Sequence, residues 1–304
     1  GIPKELRSYI TIDGEQTSKF EELHILKPGV SWSPDGKKIV FSAKSAESDA
    51  LYILDIISND VKQIRLELDG IFQPIWNPSD TKHEIAFIGN NGYQSDIYIY
   101  NYQTEELINL TNDWFSEEDP SWSKNGNDIL FISNRNDYNY TNTDFNLESL
   151  SPTFDINNKD IYKINKINRK IDRITNTPSQ ESYPYELNNE GIIYLSNESG
   201  INNLYIKQFE NVYPLTNVST GITQFSIDQS NNQILFCGLE NLGYNIYSIT
   251  DPTRLIDKNI IVPKARWSEE NTKYTKILRN NNEEIVEGNI YKNDYENFVF
   301  RNMD

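Results

Sequence analysis

The chain has 304 residues, a length that admits two domains of about 150 residues or one unit built from a repeat. Forty-five acidic against twenty-eight basic side chains leave a formal net charge of −17, and a surface so anionic repels a phosphate backbone, so nucleic acid is excluded as a general partner. No apolar run approaches the roughly eighteen residues that span a bilayer, whereas nineteen Tyr, thirteen Phe and five Trp bring enough buriable area for a core.

In chain order, residues 1–27 are expected to hold two strands, 8–12 and 21–26, placed to complete a closing blade with a strand from the C-terminal part. From residue 28 one succession recurs: an aromatic before a turn, an apolar strand ending in an aromatic, a strand of the form Asp/Asn-apolar-Tyr, and a closing strand. The first unit reads Ser31-Trp32-Ser33-Pro34-Asp35-Gly36, Ile39-Val40-Phe41 and Leu51-Tyr52-Ile53-Leu54. The second has Trp76, Ile85-Ala86-Phe87, Asp96-Ile97-Tyr98 and Asn109-Leu110-Thr111. The third has Trp122, Ile129-Leu130-Phe131, Asp160-Ile161-Tyr162 and Ile174-Thr175. The fourth runs through Tyr185, Ile192-Ile193-Tyr194, Asn203-Leu204-Tyr205 and Leu215-Thr216, and the fifth through Phe225, Ile234-Leu235-Phe236 and Asn245-Ile246-Tyr247.

The tyrosines stand at 52, 98, 162, 205 and 247, steps of 46, 64, 43 and 42, and the long step contains an insertion at 134–159. Short apolar blocks bounded by Gly, Pro, Asn and Asp are strands, and four strands in about 43 residues make a propeller blade. The expected fold is all-β, a β-propeller of four-stranded blades over 28–255 with five clear repeats and a sixth blade to close it. Trp32, Trp76, Trp122, Tyr185 and Phe225 are expected to pack between neighbouring sheets. Residues 256–304 are expected to give a closing strand at 258–263 and then a linker or the start of another domain.

The run Trp32-Ser33-Pro34-Asp35-Gly36-Lys37-Lys38-Ile39-Val40-Phe41, then Tyr52-Ile53-Leu54-Asp55 and strands closing on Leu-Thr, resembles the repeat of the TolB-type β-propeller, over about 28–255. The resemblance implies six blades and a place in the bacterial Tol envelope machinery, with protein partners among envelope or outer-membrane proteins and a periplasmic or cell-envelope location. The chain shows neither an initiator Met nor a signal-like start, so any targeting signal is expected outside it.

Chemistry is hard to assemble from these residues. The two histidines, His24 and His83, are far apart and Cys237 is alone, so no metal site, no cofactor and no internal disulfide are expected. The acidic stretches 55–60 and 117–119 lack the oxygen spacing of a calcium loop, and no Gly-x-Ser-x-Gly elbow occurs. No catalytic residue is assigned. The expected function is a non-catalytic scaffold for protein–protein interaction. Two alternatives stay open: an accessory propeller that gates substrate for a prolyl-oligopeptidase-type peptidase whose catalytic domain lies elsewhere, and a carbohydrate-binding or carbohydrate-active propeller. The insertion 134–159 is either a mobile loop or a partner contact through Tyr138, Tyr140, Phe145 and Phe154, since solvated loops seldom carry four aromatics in so short a span; its deletion is expected to leave the fold intact.

Overall fold

The computed structural model describes residues 22–23 and 29–265, except 46–47, 93, 142–147, 149, 188–190, 229–231 and 241–242. Phe145, His24 and the expected strand at 8–12 lie outside the described residues. The chain divides into Gly1–Val262 and Pro263–Asp304, and every strand of the described residues lies in the first unit. No helix among them is long and apolar enough to cross a membrane.

Five antiparallel sheets follow one another as blades. Blade 1 holds β1 (Glu22–Leu23), β2 (Val30–Trp32), β3 (Lys38–Ser45), β4 (Ser48–Asp55) and β5 (Val61–Arg65), with β1 and β2 both paired to β3. Blade 2 runs β6 (Gly70–Trp76), β7 (Glu84–Asn90), β8 (Ser95–Asn101) and β9 (Leu107–Asn109). Blade 3 runs β10 (Glu117–Trp122), β11 (Asp128–Ser133), β12 (Asp160–Asn165) and β13 (Ile171–Arg173). Blade 4 has β14 (Glu181–Glu186), β15 (Gly191–Ser196), β16 (Asn203–Gln208) and β17 (Asn211–Pro214). Blade 5 has three strands among the described residues, β18 (Ile222–Asp228), β19 (Gln233–Glu240) and β20 (Gly243–Thr250). The fold is a β-propeller, as the repeat predicts.

The tyrosine cadence has a direct cause. In every blade the tyrosine of the third strand lies directly across from the aromatic of the second, as in the register pairs Phe41 with Tyr52 and Phe131 with Tyr162, and the rings stack at 5.3 to 6.2 Å. Cross-strand aromatic pairs of this kind stabilise a sheet. Middle strands such as β7 and β8 are buried on both faces, because a blade is sandwiched between neighbours; this is why their apolar residues run in blocks instead of alternating.

The closing Leu-Thr, Ile-Thr in blade 3, has a similar explanation. The Thr111, Thr175 and Thr216 hydroxyls accept the backbone N–H of Ile97, Ile161 and Leu204 at 3.0, 2.8 and 2.9 Å, replacing a ladder bond where the fourth strand ends. Thr111 also reaches Asp96 and Glu117, and Thr175 reaches Glu181, so in blades 2 and 3 the hydroxyl ties its own blade to the first strand of the next.

The innermost strands of blades 2 to 5 carry a bulge. In β6, β10 and β14 the residues Gln73, Asp119 and Tyr183 adopt φ of 51°, 50° and 51°, each followed by a proline, and the register shifts there. Proline suits the site because the bulge leaves one ladder donor without an acceptor, and proline has none to leave.

Two expectations change. Register places Glu186, not Tyr185, opposite Ile192, the place that Trp76 and Trp122 hold opposite Ile85 and Ile129; in blade 5 that place belongs to Ile227, opposite Ile234. Accordingly Trp76 and Trp122 are buried between sheets, while Tyr185 and Phe225 are only partly buried and Trp32 is 55% exposed. At 252–258 the chain forms a 3-10 helix, bracketed by Asp251 and Asn259 in the left-handed region; Leu255 and Ile256 pack on the core of blades 4 and 5, and residues 259–263 join no sheet.

Candidate protein-contact face

The β11–β12 connection and the β9–β10 connection leave blade 3 at the same end, since consecutive strands alternate direction. Two groups of aromatic residues meet there. Phe115 lies 5.4 Å from Tyr138 and 6.2 Å from Phe154 between ring centroids. Trp114 stands edge-on to Phe115 at 5.5 Å, and Tyr138 meets Phe154 at 6.0 Å and Tyr140 at 6.2 Å. The structure thus brings together three of the four residues singled out from the sequence, Tyr138, Tyr140 and Phe154, and adds Trp114 and Phe115 from the preceding connection. Phe115 is buried, Trp114, Tyr138 and Phe154 are partly buried, and Tyr140 is 48% exposed.

The cluster rests on Arg135. This guanidinium is wholly buried, 5.3, 5.5 and 5.8 Å from the ring centroids of Phe115, Phe131 and Tyr162. It donates to Glu117 Oε1 at 2.5 Å, lies 3.2 Å from Asp113 Oδ2 and reaches the Tyr140 carbonyl at 3.5 Å. Burial pushes the Glu117 and Asp113 carboxyls up, against the pull of Arg135. Around it, the Tyr138 hydroxyl accepts the Ser151 N–H at 2.8 Å, and the Tyr162 hydroxyl donates to the Asn136 carbonyl at 2.6 Å. The start of the insertion is therefore part of the blade's core. Deleting 134–159 would strip Arg135 from two buried carboxyls, so the expectation that the deletion spares the fold does not hold. Sequence reading missed Arg135 because nothing in Ser133-Asn134-Arg135-Asn136 distinguishes a buried arginine from a loop one; the acids at 113 and 117 were the available hint.

A second concavity lies on the propeller axis, a cavity of about 1090 Å³. Its walls include Trp32, Trp76, Trp122, Tyr185 and Phe225. Asp119 crosses between blades within it: its carboxylate accepts Gln73 Nε2 at 2.6 Å and the Tyr183 N–H at 3.1 Å, and its own N–H donates to Gln73 Oε1 at 3.1 Å. Among the described residues no three His, Cys, Asp or Glu side chains gather to hold a metal ion. The acidic stretches serve local structure: Asp55 Oδ1 accepts the Ile57 and Ser58 N–H groups of a turn, and Glu117 and Asp119 hold blades together.

Comparison with known proteins places this architecture in a class. The TolB beta propeller domain family matches residues 9–140. The Tol-Pal system protein TolB of Nitratidesulfovibrio vulgaris is 26% identical over 134 residues, 44% of this chain and 27% of that protein, so the match spans about a quarter of the relative's length. Among solved structures, TolB from Acinetobacter baumannii superposes with a TM-score of 0.58 at 20% identity, covering 80% of this chain and 56% of the other. The putative TolB from Agrobacterium tumefaciens gives 0.58 at 14%, covering 74% and 77%. The family match reaches from the N-terminal part into blade 3, and over the five blades the likeness to these structures is one of fold.

Proposed function

We propose that the chain is a non-catalytic scaffold that binds a protein partner in the bacterial envelope, using the aromatic cap of blade 3. One observation carries the reading: Tyr140 stands half exposed at the edge of a ring cluster that the buried Arg135 locks in place. Rigid aromatic anchors beside a polar rim are what protein interfaces use for affinity, and holding them in advance lowers the entropy cost of binding. The likeness to TolB of the Tol-Pal system supports a periplasmic or envelope setting.

The test compares the chain with Tyr140→Ala in pull-downs from envelope extracts and against purified Tol-Pal proteins. The variant is expected to keep its melting temperature and to lose at least tenfold in retained partner. Equal retention would remove this face from the reading. A second reading, carbohydrate binding, is favoured only by the aromatic wall of the axial cavity, and calorimetry with oligosaccharides at millimolar concentration would decide it.

A further inference from the structure

The two ends of the propeller differ in charge. Between β2 and β20, the connections at the end that bears the aromatic cap hold seven acidic and two basic residues among the described ones, whereas those at the opposite end hold six of each. The two cations on the cap's side are both committed to carboxylates. Arg135 is wholly buried against Glu117 and Asp113, and Lys159 Nζ lies 2.6 Å from Glu118 Oε1.

Acids also flank the rings themselves. Asp137 precedes Tyr138, and Asp155 follows Phe154. The Asn136 side chain joins the two stretches: its Nδ2 donates to the Asp155 carbonyl at 3.0 Å, and its Oδ1 accepts the Asp155 N–H at 3.4 Å. The Asp137 side chain is 88% exposed although Arg173 lies 2.5 Å from it, and that guanidinium is shared with the buried Asp160, so one cation serves two carboxylates. Asp155 and Glu148 are exposed on the same connection. Beside them stand two apolar side chains, Tyr140 and Ile156, each about half exposed.

Aromatic rings edged by carboxylates suit a cationic side chain, since the ring face attracts the cation and the carboxylate accepts a charge-assisted hydrogen bond. Arg135 realises the same pairing inside the blade, over the Phe115, Phe131 and Tyr162 rings and against Glu117. An acidic rim also steers a basic partner toward the face and rejects an anionic one. Resting on the reading of the cap as a contact face, we propose that its partner is a basic protein segment with arginine or lysine set between apolar side chains, and that Glu148 and Asp155 receive those cations around Tyr140.

The probe is a fluorescein-labelled peptide of alternating arginine and leucine, about ten residues long, with its glutamate-for-arginine counterpart as control; each is titrated with the full chain and read by fluorescence anisotropy. The arginine peptide is expected to bind, and to weaken at least tenfold between about 20 and 300 mM sodium chloride as screening sets in. The glutamate peptide is expected not to bind. Glu148→Gln with Asp155→Asn is expected to weaken the arginine peptide at least tenfold. Asp60→Asn with Glu210→Gln removes the same charge from exposed positions at the opposite end and is expected to weaken it less than twofold. Should the first pair of substitutions fail to fold, the salt dependence and the glutamate control decide. An arginine peptide that does not bind, a glutamate peptide that does, or equal losses from the two variant pairs overturns the proposal, the last by tracing binding to net charge alone. Tyr140→Ala separates this proposal from the reading beneath it. A loss with Tyr140→Ala but none with Glu148→Gln/Asp155→Asn keeps the cap as a contact face and overturns its basic partner; a loss with the acid pair but none with Tyr140→Ala removes the rings from the contact and overturns both.

Discussion

Glu181 is a carboxyl placed where charge is costly. It is 4% exposed, and burial pushes it up to about 7 even though hydrogen bonds from Thr175 and Thr177 pull the other way. Because the folded value exceeds the unfolded one, the folded chain keeps a proton that the unfolded chain has released between about pH 4.5 and 7. The stabilisation linked to that proton is complete below the unfolded value and is lost as pH rises through the folded one. Against Glu181→Gln, which cannot ionise, the native chain is expected to lose up to about 3 kcal/mol between pH 4.5 and 7.5; urea midpoints of the pair at both ends measure it, and parallel profiles would show that ionisation costs nothing. Trp76 offers a simpler test of packing. It is buried, edge-on to Tyr102 at 5.1 Å, so Trp76→Ala is expected to cost about 3 to 5 kcal/mol, and an unchanged melting temperature would contradict its place between blades 1 and 2. Gly126 combines φ of 63° with a would-be Cβ 2.1 Å from Asn77 Oδ1, so no larger residue fits where this turn meets blade 2.

At the scale of the element, what the sequence discloses is whatever repeats. The tyrosine cadence is legible because each blade stacks that ring on the aromatic across the ladder, and Leu-Thr or Ile-Thr recurs in blades 2, 3 and 4 because the hydroxyl substitutes for a ladder bond at the blade's end. The bulges in β6, β10 and β14 are not legible: a residue before proline suggests a break in a strand, while the structure shows the strand continuing after a one-residue shift. Tyr185 suggests itself as the equivalent of the tryptophans because it is an aromatic one residue from their place, which Glu186 holds. The aromatics of the insertion proposed as a contact loop are legible in the sequence, but their foundation is not, since Arg135 acquires its role only when Asp113, Phe115 and Glu117 are brought in from the β9–β10 connection and the start of β10. Removing the guanidinium alone should be severe: Arg135→Met leaves two buried carboxyls without their cation, and a loss of about 3 to 5 kcal/mol is expected in urea unfolding. Arg135→Met combined with Glu117→Gln and Asp113→Asn should recover much of that loss, because the penalty lies in the uncompensated charges; no recovery would mean that Arg135 acts mainly through its contacts with the rings.

For the whole molecule the governing quantity is the net charge of −17, which sets charges against one another over the surface and destabilises the compact state. Exposed pairs do little to offset this. Lys62 with Glu105 and Lys170 with Asp172 have side chains more than half exposed on both partners, where a pair contributes at most about 1 kcal/mol. The pairs that matter, Arg135 with Glu117 and Asp113, are shielded from solvent ions by burial. Raising sodium chloride from about 20 to 300 mM shortens the screening length from about 20 to 6 Å, so it should relieve the repulsion while leaving the buried pairs intact. The melting temperature at pH 7.5 is therefore expected to rise by a few degrees. Near the sequence pI of about 4.6 the net charge vanishes, and the same step in salt should leave the melt where it was. A fall at pH 7.5 would mean that attractive surface pairs outweigh the net repulsion, and an equal rise at both pH values would trace the effect to salting-out of apolar surface, not to charge.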